Sequence, residues 1–393
     1  MKVVMLCDLY DEALQYQENL LAKYYAKHGH DVTVVASTFE SARDYSANRS
    51  DRRGRVAREY QLGRVKVMKL PYSLNLLNRL RRFAGVDRIL ASERPDLIFV
   101  HDIHLNLPEA AQYRASHPTS RLVMDYHADY SNSARNWFSL NVLHKIIRRG
   151  VLYRYKQWID RIYPVVPASA SFLHEVYGIP LEELELLPMG ADVDLARSVR
   201  SERAGSKVRS AYRIPHDAIV IFTGGKLNPL KKTDLLIEAF KAVRDPRLHL
   251  LVVGDVDGAD SSYRRRLDEL AADETHVHFT GWVDGGDVYR YMNACDFAVF
   301  PASQSVLWQQ ALSMGLPLVV GQVGVQDCSY MNRYGSVTLL RESEIRSDVI
   351  ADNIRELMGN MALLKERQAG ALRVTDELFN YDAIVSKTLA LCA

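Results

Sequence analysis

Between residues 222 and 240 the chain reads FTGGKLNPLKKTDLLIEAF. This is an apolar strand-like run, then two glycines, a lysine, a proline-containing loop with two more lysines, and an amphipathic helix. Glycines let a backbone approach a ligand closely, and ammonium groups on the loop can neutralise a diphosphate. Gly225, Lys226 and Lys231 are therefore candidates for holding a pyrophosphate. Composition alone gives comparable weight to a strand–turn–helix corner whose lysines are merely solvated. Two further segments set histidines beside aspartates after short apolar runs: LIFVHDIH, with His101, Asp102 and His104, and LVMDYHADY, with Asp125, His127 and Asp129. Such a set could ligate a divalent ion. The spacings of known metal motifs are absent, so no metal is expected. His101 and His104 are candidates for binding an acceptor substrate, against a capping and packing role beside the cleft.

Elements that must position these residues follow from periodicity. In the first half, candidate strands at Val3–Cys7, Asp31–Ala36, Val65–Leu70, Leu97–His101, Leu122–Tyr126 and Ile162–Val166 are separated by helix-length segments, beginning with Leu20–His28. Parallel strands need long return connections, so this alternation predicts βαβ crossovers. The alternation restarts at Ala218–Thr223 and continues through Leu248–Val253, Val277–Phe279, Phe297–Phe300 and Leu316–Val320, with helices around Thr233–Arg244, Tyr263–Ala272 and Val306–Met314. The expected fold is α/β with two doubly wound Rossmann-like domains facing across a cleft: residues 1–195, a linker over 196–215 marked by the Arg-, Ser- and Ala-rich stretch Ala196–Arg213, residues 216–375, and a C-terminal helix over 376–393 returning to the first domain. In open parallel sheets ligands bind at the carboxyl ends of the strands. Both histidine–aspartate clusters and the glycine–lysine loop lie at such ends. So does PASQSVLWQQALSMGLP, where a strand ends at Pro301 and Ser305 is the expected N-cap of a helix whose free N–H groups would attract an anion.

At 393 residues the chain exceeds the size at which one hydrophobic core usually stops growing. About half its residues are apolar and a quarter charged, as in ordinary globular proteins. A net charge of +2 gives no support to a nucleic-acid partner. Cys7, Cys295, Cys328 and Cys392 lack CxxC or zinc-like spacing and read as thiols in a reducing compartment. The opening MKVVMLCDLYDE has too short an apolar run for a signal peptide, and no stretch approaches the roughly 20 apolar residues of a membrane span. A cytoplasmic protein is expected.

The glycine–lysine segment resembles the donor-binding loop of retaining glycosyltransferases of family four, in which a Gly–Arg pair and a later Glu–Lys–Gly supply two cations. Lys226 stands at the arginine position and Lys231 at the lysine position. The resemblance extends to VHFTGWVDGGDVYRYMNACDFAVFPAS, QALSMGLPLVV and LLPMGADVD, and is strongest in the second half. It implies the GT-B architecture and a nucleotide-diphosphate sugar as donor, with no other cofactor. It further implies that the donor base rests against Gly281–Trp282–Val283, that Ser303, Ser305 and Val306 lie on the donor side, and that His127 is the active-site histidine touching the donor sugar or its phosphate. Two departures stand out. Family members usually carry two glutamates seven residues apart, whereas Gln310 stands at the second and a shortened loop with Ser303 and Gln304 replaces the first. Glutamine can still hydrogen-bond a ribose, without the strength of a charged acceptor; a solvent-facing polar helix residue is the other reading. The family's glycine-rich first loop is replaced by Tyr10–Tyr16, where Asp11 or Glu12 is expected to bond acceptor hydroxyls.

What the resemblance implies is a retaining, metal-independent hexosyltransferase acting on a glycan or lipid-linked glycan in bacterial surface polysaccharide synthesis. The departing diphosphate itself would help deprotonate the acceptor hydroxyl. The segment from Trp137 to Trp158 crowds Phe138, Lys145, Arg148, Arg149, Tyr153, Arg154, Tyr155 and Lys156, and Leu76–Arg82 is a shorter run of similar kind. Either these residues bind an anionic bilayer, placing the protein at the inner face of the cytoplasmic membrane, or the aromatics pack on the sheet and the cations snorkel. The competing classes are a nucleotide-sugar epimerase and a non-catalytic binding subunit of the same fold. A nicotinamide-dependent dehydrogenase is disfavoured because neither half has GxGxxG after its first strand.

Overall fold

The computed structural model describes residues 1–39, 41, 44–45, 56–76, 78–256, 261–324 and 326–392. It resolves two compact units, Met1–Pro188 with Tyr381–Ala393, and Met189–Asn380. The first unit contains β1 (Lys2–Leu6), β2 (Asp31–Ser37), β3 (Arg58–Leu62), β4 (Val65–Leu70), β5 (Tyr72–Leu76), β6 (Leu80–Phe83), β7 (Leu97–His101), β8 (Arg121–Tyr126) and β9 (Arg161–Pro164). Seven of these form one sheet in the order β3-β4-β2-β1-β7-β8-β9. All neighbours are parallel except β3 and β4. The strand order reverses at β1, between β2 and β7, so the carboxyl ends of β1 and β7 flank a topological switch point. β5 and β6 form a separate antiparallel hairpin; residue 77, within the expected basic run 76–82, lies outside the described residues. β3 and this hairpin are absent from the periodicity reading because REYQL and YSLNL are mostly exposed and carry no apolar run.

The second unit holds β10 (Ile219–Gly224), β11 (Leu248–Val253), β12 (Val277–Gly281), β13 (Phe297–Phe300), β14 (Leu318–Gly321) and β15 (Val337–Leu340), a fully parallel sheet in the order β12-β11-β10-β13-β14-β15. Its switch point lies between β10 and β13. Alternate residues feed two cores: Val220, Phe222, Leu251, Val253, Ala298 and Phe300 enter one, and Ile219, Ile221, Leu250, Val252, Phe297 and Val299 the other. A sheet covered on both faces therefore reads as continuous apolar runs.

The expected linker over 196–215 is corrected by the structure. Helices at Val193–Ser201 and Gly205–Ala211 occupy it, within the second unit. Val193, Ala196 and Val199 are buried, Asp192 accepts the Leu195 N–H, and Gly205 lies so close to Asn293 that a Cβ would sit 2.3 Å from its carbonyl oxygen. Arg209 donates to the carbonyls of Ala294 and Ala218 and pairs with Asp296 at 3.0 Å. The arginines that resembled linker composition are docking groups. The closing helix Tyr381–Leu389 packs on Gln17–Lys27: Tyr25 Oη meets Thr388 Oγ1 at 2.6 Å, and Lys27 and His28 reach Asp382 at 2.9 Å. Among the described residues no helix is long and apolar enough to cross a membrane. All four cysteines are free thiols.

Thr388 also donates to the Val385 carbonyl, so its oxygen is the acceptor for the buried Tyr25 hydroxyl. Thr388→Val keeps the shape and strands that hydroxyl, so chemical denaturation should show a loss of about 1–3 kcal/mol.

Candidate active site

In the second unit the glycine–lysine segment lies at the end of β10. A Cβ on Gly224 would approach the Val253 carbonyl oxygen to 2.3 Å, and one on Gly254, at φ +122°, would come within 2.1 Å of the Gly225 oxygen. Only glycine permits these two loops to run backbone against backbone. The Gly225 N–H donates to Val253 at 2.8 Å and the Gly254 N–H to Gly281 at 3.0 Å. Beyond Gly225 (φ +110°), Lys226 is exposed, Asn228 caps the short turn Pro229–Lys231 through the Leu230 N–H, and Lys232 takes a left-handed conformation before the helix Thr233–Val243. Lys231 folds back over the glycine: its Cε and Nζ lie 3.5 and 3.7 Å from the Gly225 Cβ position, with Leu307 Cδ1 at 3.6 Å. Burial lowers its pKa below the ordinary lysine value. Among the described residues no carboxylate pairs with it.

The expected helix Val306–Met314 is shorter, Leu307–Ser313, and Ser305 Oγ accepts the Leu307 N–H at 3.3 Å while Val306 precedes the first turn. With two turns its dipole is weak, so the local positive charge rests on the lysines. Ser303 adopts φ +66° in the loop before it. Gln310 is not a solvent-facing residue: it is 4% exposed, and its Oε1 has no hydrogen-bond partner. Gly281 ends β12 at φ +73°, leaving the Trp282 indole 60% exposed and Val283 partly packed on the core.

In the first unit the switch point collects Asp8 after β1, His101, Asp102 and His104 at the end of β7, and Asp125 and His127 at the end of β8. Asp125 is fully buried. Its Oδ2 lies 2.9 Å from His101 Nδ1 and 3.1 Å from His127 Nε2, and the two imidazole centroids are 4.4 Å apart. Its Oδ1 accepts the Asp102 N–H, while Asp102 Oδ1 accepts the His127 N–H at 3.0 Å. His127 is thus clamped through both side chain and backbone. Burial alone would raise the Asp125 pKa, but the two histidines hold it well below the carboxylate range. Burial would depress His101; the Asp125 charge outweighs it and raises the imidazole to about 10. His101, Asp125 and His127 present donor atoms within 4.8 Å of one another. At neutral pH a cation there would have to displace the His101 proton, since an imidazolium cannot ligate.

Asp8 is a second hub. It accepts from Tyr45 Oη (3.0 Å), Tyr72 Oη (3.1 Å), Arg81 Nη1 (3.0 Å) and His104 Nε2 (3.1 Å). His104 Nδ1 accepts the Asn106 N–H, so Nε2 carries the proton given to Asp8. Burial would raise the Asp8 pKa, but His104 and Arg81 hold it well below the usual range. Asp8, Arg81, His101 and His104 line a cavity of about 480 Å³. Asp8, Arg81, Tyr45 and Tyr72 escaped the motif reading. Asp8 had a usable signal, standing just after a strand as His101 and Asp125 stand at strand ends; Arg81 and Tyr72 come from the polar hairpin, and Tyr45 from a stretch without an apolar pattern. Asp11 shapes its own loop, its Oδ1 accepting the Ala13 N–H, and Glu12 is exposed. Neither lines this cavity. Deeper in the same region Glu18 is buried, which raises its pKa, and both amide atoms of neighbouring Gln17 are unpaired.

Two doubly wound parallel sheets, each with polar groups at its switch point, define the GT-B class. Residues 19–195 match the family profile described as Glycosyltransferase Family 4, and residues 217–360 that of Glycosyl transferases group 1. The chain belongs to this glycosyltransferase group. It is similar to the D-inositol 3-phosphate glycosyltransferases of Saccharomonospora viridis, 29% identical over 42% of this chain and 40% of the relative, and Geodermatophilus obscurus, 29% identical over 56% and 51%. The matches thus span about half the length of these relatives or less. Among solved structures it resembles Anabaena HepE in complex with UDP, with TM-score 0.69, 18% identity and coverage of 100% of this chain and 99% of the other. It also resembles a Rickettsia africae glycosyltransferase, with TM-score 0.71, 13% identity and coverage of 100% and 97%.

The His101 contribution to stability is complete below its ordinary pKa of 6.5 and is lost as pH rises towards about 10; that of Asp125 is present above 3.8 and lost as pH falls below it. Asp125→Asn should therefore destabilise most near pH 5–6, by about 3–5 kcal/mol. The gap to wild type should narrow towards pH 10 in denaturation curves.

Proposed function

We propose that the protein is a retaining, metal-independent glycosyltransferase that moves a hexose from a nucleoside-diphosphate sugar to a hydroxyl of a glycan or lipid-linked glycan, in bacterial surface polysaccharide synthesis. The observation that carries this reading is Lys231, a half-buried ammonium group without a carboxylate partner, held over Gly225 at the switch point of the second unit. A cation that is desolvated yet unpaired favours an anionic ligand, and the ligand's charge offsets the cost of its burial. Lys226, exposed on the same loop, supplies the second charge. The unpaired Oε1 of Gln310 suits a ribose hydroxyl, and the open face of Trp282 suits a base. In the first unit Asp125 and Asp102 fix the orientation of His127, the residue that the family resemblance gives as touching the donor sugar or its phosphate. Expulsion of a diphosphate needs stabilisation of developing negative charge more than a strong base, and preorganised cations provide it. In support, HepE is recorded with UDP, with UDP and glucose and with UDP-glucose, and WaaG, another structural neighbour, serves lipopolysaccharide biosynthesis.

Lys231→Met should abolish transfer from UDP-glucose and donor binding by calorimetry, and raise the unliganded melting temperature, because an uncompensated cation is removed from a half-buried site. Unchanged turnover in the variant removes the assignment. Activity in wild type should persist in EDTA.

Membrane contact is favoured by a specific observation. Trp137 is 72% and Ile146 65% exposed, rather than packed on the sheet, beside exposed Lys145, Arg149 and Arg154. Flotation with phosphatidylglycerol vesicles should carry the wild type upward and leave a Trp137→Ser/Ile146→Ser variant in the load; equal flotation with neutral vesicles would count against the charge contribution.

A further inference from the structure

The cavity lined by Asp8 and His104 has an excess of positive charge on one wall. Arg81 is balanced by Asp8, and Asp102 is engaged by the His127 amide. Arg79 and Arg148 line the same cavity, and among the described residues neither has a carboxylate within ion-pair distance. The Arg148 guanidinium makes a long 3.4 Å contact to the Arg79 carbonyl and interacts with the Tyr177 hydroxyl, and its Nε is shielded from solvent without a partner. Their field is felt nearby: burial first, and then Arg148 and Arg79, lower the pKa of His144 to about 4. Two guanidinium groups without a carboxylate partner in one recess match a phosphate, whose oxygens accept paired N–H donors.

A second cavity of about 390 Å³ adjoins the first, sharing Arg79 and Leu80. Its wall differs in kind, with Leu76, Phe138, Leu143 and Ile147 contributing apolar surface. Phe138 and Leu76 are 57% and 53% exposed, so the apolar recess opens to the surface. The helix forming this wall, Ser139–Arg148, is wound as a π-helix, a winding frequent at functional sites. Arg148 closes it on the polar side.

We infer that the acceptor is an amphiphilic phosphate ester, its phosphate held by Arg79 and Arg148 and its apolar chain laid into the recess beside Phe138 and Leu143. This deepens the glycosyltransferase reading and rests on it, because it names what the first unit presents for glycosylation. The hydroxyl to be glycosylated would then lie towards Asp8 and His104, in the polar chamber. No bond to phosphorus changes: the phosphate is an anchor.

Calorimetry on the intact chain with farnesyl phosphate, farnesol and inorganic phosphate tests it, with UDP-glucose as a separate titration. Farnesyl phosphate should bind at least about tenfold more tightly than either fragment, and Arg148→Gln or the exposed Arg79→Gln should weaken it about 10- to 100-fold, towards the affinity of farnesol. Phe138→Ser, at an exposed position, should weaken farnesyl phosphate and leave inorganic phosphate unaffected. Inorganic phosphate binding as tightly as farnesyl phosphate overturns the apolar half of the inference, and farnesol binding as tightly overturns the anionic half. If UDP-glucose binds and farnesyl phosphate does not, the acceptor inference falls and the transferase reading stands. If neither binds, the transferase reading falls with it.

Discussion

A carboxylate with no exposure to solvent must be met by positive charge or neutralised, and the edge of the first sheet is organised around that constraint. Asp125 takes His101 from the end of β7 and His127 from the loop after β8, and uses its second oxygen to hold the Asp102 amide. Because Asp102 in turn holds His127, three strand-end residues share one arrangement that cannot be altered at one point only. Asp8 repeats the principle with a different set, drawing Arg81 and Tyr72 from the hairpin, His104 from the segment after β7, and Tyr45. Low local dielectric strengthens such networks and makes any unpaired member costly.

Against that background of compensated charge, the unpaired cations stand out. Lys231 in the second unit and Arg148 in the first are half-buried with no carboxylate partner among the described residues, and the exposed Arg79 lines the same cavity as Arg148. A folded chain carries such groups at some cost to stability, and perturbed charges of this kind concentrate at functional sites. Lys232 follows the same logic in its backbone. It occupies a left-handed conformation, a placement that costs about 1–2 kcal/mol and sets the turn that returns Lys231 over Gly225.

Much of the fold was legible because parallel strands buried on both faces are continuous apolar runs. Val65–Leu70, Leu97–His101, Leu248–Val253 and Phe297–Phe300 were read to the residue. What escaped was polar structure held by tertiary contacts. The strand Arg58–Leu62 is an exposed edge, the 72–83 hairpin is exposed on one strand, and the helices after Asp192 have so little apolar surface that they resembled a linker. The site divided the same way. Gly225, Lys231, His101 and His127 sit in contiguous motifs at strand ends. Arg81 and Arg148 are separated from Asp8 and Asp102 by tens of residues, and no local pattern connects a hairpin arginine to a carboxylate just after the first strand.

The replacement of glutamate by Gln310 can be argued from the same balance. Leu307 and Gln310 stand three residues apart on one helix and so share a face, and Leu307 packs over Gly225 beside Lys231. A glutamate at 4% exposure would bring a buried negative charge into this neighbourhood, requiring a cation of its own. Lys231 is the cation at hand, and an ion pair with it would compete with a diphosphate for the ammonium group. Glutamine removes the competitor and leaves an acceptor oxygen, Oε1, without a partner. In the proposed function the substitution would weaken the grip on ribose, where a charged acceptor is the stronger one, and would leave Lys231 available to the diphosphate. Binding free energy would thereby move from the nucleoside towards the group that departs in the proposed reaction. A shift of that kind lowers discrimination among nucleosides and favours stabilisation of the charge that develops as the glycosidic bond to the donor breaks.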